Sequence, residues 1–544
     1  MQRVYFNSYI QKLNELGDTI WERNGARVAA DGLDYFDPVC VGDGSGGAVV
    51  LAVRSREDGS GRPDNRIAQW IDNGGLRRLG EGGLLLDHES EEARVLSECV
   101  VSDTAGGAIM LWRDYPDGAA AQRVTCVEPA GTDRDWGSEC VGSSAPSTDW
   151  YLPEGSTGPG FETWVCVENP GTQAAQVELT YMTESGPVPG PEASVPALSR
   201  ATFNVADTVP GHWSVSTHVH SDRAVVAERA MYGENRRWGH DSLGLTNMAT
   251  DGYLAEGSTG PGFETWVLVQ NPGTQPAEVT LEFMTPTGKK GGTGATVPAN
   301  SRKTFNLADF VPGEWEVSTH VRSTRPVVAE RAVYGTGRTW GHDHVWVESP
   351  AEKWYLAEGS TGLGFETWVC VENPNDQPAN LTLTFMTPSG EVEGPSATVG
   401  ANSRHSFNLA ESIPGEWSVS TKVESDRPVV VERAMYGQDR TWAHDSAGAT
   451  ASATTWYLAE GSTGPGFETW VLIQNPSEVD AVVKLTYMTE GGTVPGPEVL
   501  VVAGSRVSLN AGEMARGRDS LSTLVESDAP VVVERAVYGS AIGQ

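Results

Sequence analysis

The residues best equipped for chemistry recur at a fixed spacing. His240-Asp241, His342-Asp343 and His444-Asp445 each follow a tryptophan by two positions and are 102 residues apart. An imidazole beside a carboxylate is the minimum for a metal ligand set or for proton transfer. Two donors are too few for a closed zinc site, so the pattern favours a turn in which Asp caps backbone amides and His packs on the preceding Trp. His218 and His320 are weaker candidates, because Lys422 and Leu524 occupy the same place in later copies. The pairs Glu228-Arg229, Glu330-Arg331, Glu432-Arg433 and Glu534-Arg535 also recur, as do Glu162 and Arg200. Strand alternation puts Glu228 and Arg229 on opposite faces. Charges retained in every copy of a β unit read as ion pairs that pin strands or neighbouring copies, not as catalytic groups.

Tryptophan divides into two kinds. Trp164, Trp266, Trp368 and Trp470 sit in Thr-Trp-Val stretches that are apolar on both strand faces, which reads as core packing. Trp213, Trp315 and Trp417 align with Asp519, and a position that accepts Asp is not deep core. These three either stack on sugar rings as ligand-binding platforms or cover the joints between copies. Cys166 and Cys370 align with Leu268 and Leu472, so they act as small buried apolar groups. Cys40, Cys99, Cys126 and Cys140 lie earlier, and a Cys126–Cys140 bridge would close a reasonable loop, although spacing does not fix pairing. The Glu-Gly-Ser-Thr-Gly loops at Glu154, Glu256, Glu358 and Glu460 lack the Gly-Lys-Ser/Thr ending of a phosphate-binding loop. No cofactor is expected.

These residues are positioned by a repeat that carries no insertion or deletion. Four copies follow one another: 150–251, 252–353, 354–455 and 456–544, the last lacking its final dozen residues. In the first copy, β-rich segments at about 150–154, 161–169, 175–183, 192–196, 200–206, 213–220 and 224–232 are separated by Gly, Pro, Asn and Ser turns. Seven short strands without an amphipathic helix predict immunoglobulin-like β-sandwiches. Each copy is large enough to fold alone, so the expectation is a string of domains about 150 Å long. The truncated fourth copy is expected to be the least stable.

Residues 1–149 differ. Asp43-Gly-Ser-Gly-Gly-Ala-Val-Val and Asp103-Thr-Ala-Gly-Gly-Ala-Ile-Met lie sixty residues apart, each a strand, a Gly-Gly turn and a strand. This reads as two or three blades of a partial β-propeller-like region, open to self-association. Overall the chain is all-β. Its formal charge of −34 repels a nucleic-acid backbone, and it has no apolar run long enough for a spanning helix and no signal peptide at Met1.

The unit Trp-Tyr-Leu-Ala-Glu-Gly-Ser-Thr-Gly, through Asn-Pro-Gly to Arg-Pro-Val-Val-Ala-Glu-Arg-Ala and Gly-His-Asp, resembles a tandem repeat of unknown function found in large secreted or surface proteins of actinobacteria and related bacteria. The segment before it is similar to bacterial surface propeller repeats. The resemblance implies a non-enzymatic extracellular or cell-surface protein, structural or adhesive. Its partners would be cell-wall or extracellular polysaccharide, or other surface proteins. The alternative is a carbohydrate-binding accessory region of a secreted hydrolase.

Overall fold

A computed structural model describes residues 134–540, apart from 363 and the side chain of 336, together with backbone strands within the first 133 residues. The chain forms two compact units, Met1–Gly131 and Thr132–Gln544. In the first, Tyr35–Gly42, Ala48–Ser55, Pro63–Ile71 and Leu84–Leu85 form an antiparallel four-stranded sheet. Glu98–Ser102, Gly107–Asp114 and Gly118–Thr125 form a three-stranded one. The two Gly-Gly segments thus join antiparallel strands, as their turn chemistry requires. The side chains of Cys40, Cys99 and Cys126 lie outside the described residues.

In the second unit every copy repeats one seven-stranded arrangement. In copy one the order is Gly186–Val195, Ala175–Thr183, Val215–Gly233, Phe161–Asn169, Ser199–Asn204. Ser147–Leu152 and Trp238–Leu243 also pair with the central strand. That central strand is 19 residues long, where the sequence suggested two strands with a break near 221–223. Its first half pairs with Ala175–Thr183 and its second half with Phe161–Asn169. Sharing one strand bends the sheet into a half-barrel. Val165, Val167, Val177, Leu179, Tyr181 and Val219 fill its concave side. The His-Asp segment is a strand, not a turn: Trp238–Leu243 runs antiparallel along Glu228–Gly233.

The sheet of copy four is closed by a strand from ahead of copy one. That strand, Trp136–Val141, pairs with the long strand Ser522–Gly539. Trp136 is opposite Gly539 and Val141 opposite Glu534. This matches the register of Trp238 opposite Gly233 and Leu243 opposite Glu228. The reason is in the residues. Arg134, Trp136, Gly137 and the acid Glu139 stand 102 positions before Arg236, Trp238, Gly239 and Asp241. The boundary expected at 149 therefore falls at Gly131.

Nor do the copies form a rod. The closing strands Trp238–Leu243, Gly341–Val345, Trp442–Ala447 and Trp136–Val141 pack against one another in a cycle, the last returning to the first. Ala255 and Ala357 enter the cores of copies three and four, and Ala459 of copy four enters the core of copy one. A head-to-tail contact that closes after four steps makes a ring. Equivalent atoms then lie in one plane normal to its axis. The copies are co-dependent, because each half-barrel buries residues of its neighbour.

Candidate functional site

At every joint the arginine of one copy meets the glutamate of the next. Arg229 reaches Glu330 at 2.7 Å, Arg331 contacts Glu432, Arg433 lies 3.5 Å from Glu534, and Arg535 reaches back to Glu228 at 2.6 Å. All eight side chains are buried. The Glu-Gly-Ser-Thr-Gly loop supplies the remaining donors. The amides of Ala459 and Glu460 donate to Glu228 at 2.8 and 3.0 Å, and those of Ala255 and Glu256 donate to Glu432 at 2.8 and 3.1 Å. Glu330 and Glu534 accept from the amides of Glu154 and Glu358 at 2.8 and 2.9 Å. The loop is thus an anion nest after all, but its anion is the neighbour's carboxylate. Arg200, the Ser-Arg arginine, donates to the carbonyl of Leu521 at 2.7 Å, and Arg302 to that of Val215 at 2.9 Å, each in the preceding copy.

The His-Asp pairs belong to the same joints. Asp343 contacts Arg229, Asp445 contacts Arg331, and Asp241 contacts Arg535. At the third joint Glu139 takes this role, with Arg433 Nη1 2.8 Å from its Oε1. His240 Nδ1 lies 2.9 Å from Asp343, His342 Nδ1 3.0 Å from Asp445, and His444 Nδ1 2.8 Å from Glu139. The histidine therefore pairs with the next copy's acid, not with its own sequence neighbour. Each ring also stacks on the tryptophan two residues before it, as the sequence suggested. Ser138 stands where the fourth histidine would be. Burial and the adjacent arginine depress all three imidazoles, His444 to about 3, so they are neutral.

Glu256, His342 and Asp445 bring three ligand-type atoms together. Arg331 already lies against two of those groups, 3.4 Å from Glu256 and in contact with Asp445. A guanidinium in the cation's seat repels a metal ion and satisfies the same oxygens. The residues fit an ion-pair joint and do not fit a metal centre. Above the charges runs an aromatic collar. Trp136 packs edge-on to Tyr232, Trp238 to Tyr334, Trp340 to Tyr436 and Trp442 to Tyr538, with centroids 5.5, 5.6, 5.7 and 5.6 Å apart.

Buried carboxyls outnumber buried arginines among the described residues. The excess is carried by acids that burial pushes upward. Glu139 and Glu460 rise to about 7, while Glu168, Glu372 and Glu534 rise well beyond the usual carboxyl range. Glu168 and Glu372 have no hydrogen-bond partner at either oxygen. In copies two and four the same position is Gln270 or Gln474, whose amides donate to Met182 and Met386 of the preceding copy. Cys166 and Cys370 lie two residues before these glutamates, are fully buried and have thiols raised to about 11. Cys140 is likewise a free, buried thiol that accepts the amide of Leu243 at 3.1 Å, while Cys126, the partner expected for it, lies outside the described residues. The strand position of Cys140 faces the joint with copy one. His218 and His320 bond Asp149 and Asp251 and stack on Tyr151 and Tyr253.

The three candidate tryptophans lie elsewhere. Trp213, Trp315 and Trp417 are 59%, 58% and 42% exposed. Each indole lies over a glycine of its own loop, Gly158, Gly260 or Gly362, where any Cβ would run into the ring. Phe161, Phe263 and Phe365 support them edge-on at 5.7, 5.9 and 5.7 Å. Asp519 stands over Gly464 in copy four. Trp164, Trp266, Trp368 and Trp470, read as core packing, are partly buried and pack against the apolar clusters of the joints, with their indole N–H directed at Glu162, Glu264, Glu366 and Glu468. Arg236, Arg338, Arg440 and Arg134 complete these surface clusters.

No curated protein matches the sequence. Among solved structures, Thermotoga maritima 1070 is similar at 19% identity and TM-score 0.17, over 18% of this chain and 94% of that one. The Anabaena sensory rhodopsin transducer matches at 24% identity and TM-score 0.15, over 15% and 95%. An exo-β-1,3-galactanase from Phanerochaete chrysosporium matches at 10% identity and TM-score 0.13, over 59% and 87%. TM-scores this low assign neither fold nor function. The repeats match a family of unknown function (DUF5719) over residues 100–230, 246–344 and 347–532, and the chain belongs to that family.

Proposed function

We propose that the protein is a non-enzymatic adhesive module of the cell surface or extracellular space, a ring that binds polysaccharide through Trp213, Trp315 and Trp417. The observation that carries this reading is the platform geometry. One face of each indole rests on a loop glycine, while the residue stays about half exposed. Apolar–aromatic stacking of this kind suits the C–H faces of sugar rings. Three equivalent platforms in one plane give avidity to a polymer whose repeats reach more than one of them. The net charge of −34 favours an uncharged or cationic glycan over an acidic one. The ionisable groups repeated in the joints are buried and paired with one another, which leaves them no access to substrate. We read each half-barrel as an immunoglobulin-like variant and the first unit as partial propeller blades. A carbohydrate-binding accessory role beside a secreted hydrolase uses the same platforms.

The test is retention of the full chain on insoluble polysaccharides and bacterial cell walls, compared with the Trp213→Ala/Trp315→Ala/Trp417→Ala variant. Retention by the parent and its loss in an equally stable variant supports the reading. Equal behaviour of the two proteins, bound or unbound, contradicts it.

A further inference from the structure

Copy one carries a group of side chains on its outer face that no other copy repeats. His218 and His220 lie two residues apart in Val215–Gly233, on the face opposite the core residue Val219, as strand alternation requires. Asp149, on the adjacent strand Ser147–Leu152, stands directly opposite His220, and Glu178 stands opposite it on the other side. One oxygen of Asp149, Oδ1, lies 2.9 Å from Nε2 of His218 and 3.0 Å from Nδ1 of His220. Glu192 extends the same row beyond Glu178. The group is open to solvent, with side-chain exposures of 24% for His218, 55% for His220 and 35% for Asp149.

The other copies place a fixed cation in this row. In copy two, Arg322 replaces His220 and reaches both nearby acids, Asp251 at 3.6 Å and Glu282 at 3.4 Å. In copy three, Lys353 and Lys422 replace Asp149 and His218, and they pair with Glu424 at 3.0 and 3.2 Å. In copy four, Lys484 replaces Glu178 and stands opposite Glu526. Copy one has neither lysine nor arginine at any of these positions, yet it has the carboxylates of Asp149, Glu178 and Glu192. What it has instead is two histidines, and an imidazole can hold a cation as well as be one.

We propose that Asp149, His218 and His220 bind a divalent transition-metal ion, with Glu178 as an outer acid. The ion staples Ser147–Leu152 to the central strand, as Arg322 ties the same strands in copy two. Two ring nitrogens and a carboxylate oxygen are the donor set of zinc and its neighbours, whereas calcium and magnesium take oxygen donors. Nitrogen-to-oxygen separations of 2.9 and 3.0 Å suit adjacent ligands about 2.0–2.1 Å from one ion. The two rings are 6.4 Å apart, and seating the ion draws the exposed His220 inward by a rotamer adjustment. Tyr151 stacks on His218 at 4.6 Å and fixes the other ring. Unlike the group at Glu256, His342 and Asp445, this one has no guanidinium paired with its carboxylate among the described residues. Three protein ligands leave the remaining positions to water.

Calorimetric titration of the chelator-treated full chain with Zn²⁺, beside thermal melts with and without Zn²⁺, tests this. The parent is expected to bind the ion and to melt at a higher temperature in its presence. His220→Arg reproduces the side chains of copy two, so it keeps the fold, and it binds one equivalent fewer and loses the rise in melting temperature. Asp149→Asn is a second variant with the same expectation. Glu178→Gln keeps all three ligands and weakens binding about tenfold. A parent that binds no Zn²⁺ overturns the proposal. So does equal uptake by the parent and both ligand variants, which would put the ion elsewhere. An equal effect of Ca²⁺ would assign the site to the acids alone and overturn it too.

Discussion

Glu139 and Arg433 are 294 residues apart in sequence, yet the carboxylate and guanidinium meet at 2.8 Å with both side chains fully buried. That single pair joins the segment before copy one to the end of copy three. It is one of four equivalent joints, and the other three use Asp343, Asp445 and Asp241.

Removing one partner of such a joint strands the other. Arg535→Met leaves Glu228 and Asp241 buried without their cation, which costs about 3–5 kcal/mol of unfolding free energy. Arg236→Ala removes an exposed partner of Glu162 and costs about 1 kcal/mol or less. Urea denaturation of the two variants beside the parent gives the comparison. Equal effects would mean that the joints do not hold the ring.

Glu168 and Glu372 are carboxyls where copies two and four use Gln. Burial and the nearby Glu228 and Glu432 raise them well above the usual range. A carboxyl raised in the folded state favours folding below its unfolded pKa and costs stability as pH climbs above it. Glu168→Gln therefore raises stability at neutral pH, by about 1–3 kcal/mol if the amide finds a partner as Gln270 does. The gain shrinks toward zero in acid. A neutral-pH loss in the variant's melting temperature would contradict this assignment.

The third joint carries its own proton. Glu139 and Glu534 lie together on Arg433, and burial raises Glu139 to about 7. Its folded-state pKa lies above the unfolded value, so the shared proton's contribution is complete below the ordinary carboxyl range. It is lost as pH rises through about 7. Stability should fall on the alkaline side, and less steeply in Glu139→Gln. Parallel pH profiles for parent and variant would place the titration elsewhere.

The repeat, the strand-rich copies and the retained charges were legible because period and turn chemistry are local signals. Ion pairing of Glu228 and Arg229 was legible too, but the partner was not, since alternation names a face and not what packs on it. The ring was present in the residues in one place. Trp136-Gly137-Ser138-Glu139 continues the 102-residue spacing backward from Trp238-Gly239-His240-Asp241. Two substitutions, Ser for His and Glu for Asp, masked the match and made copy four look incomplete. Whether Trp213 lies at a joint was a question of long-range geometry, which Asp519 alone did not answer.

The central claim is closure of four copies into a ring. Small-angle X-ray scattering of the unit Thr132–Gln544 tests it most directly. A compact body of this length has a radius of gyration of about 22 Å. Four copies end to end, about 150 Å long, would give roughly 43 Å. The ring predicts a value near the first and a maximum dimension far below the rod's. A value near the second would contradict it.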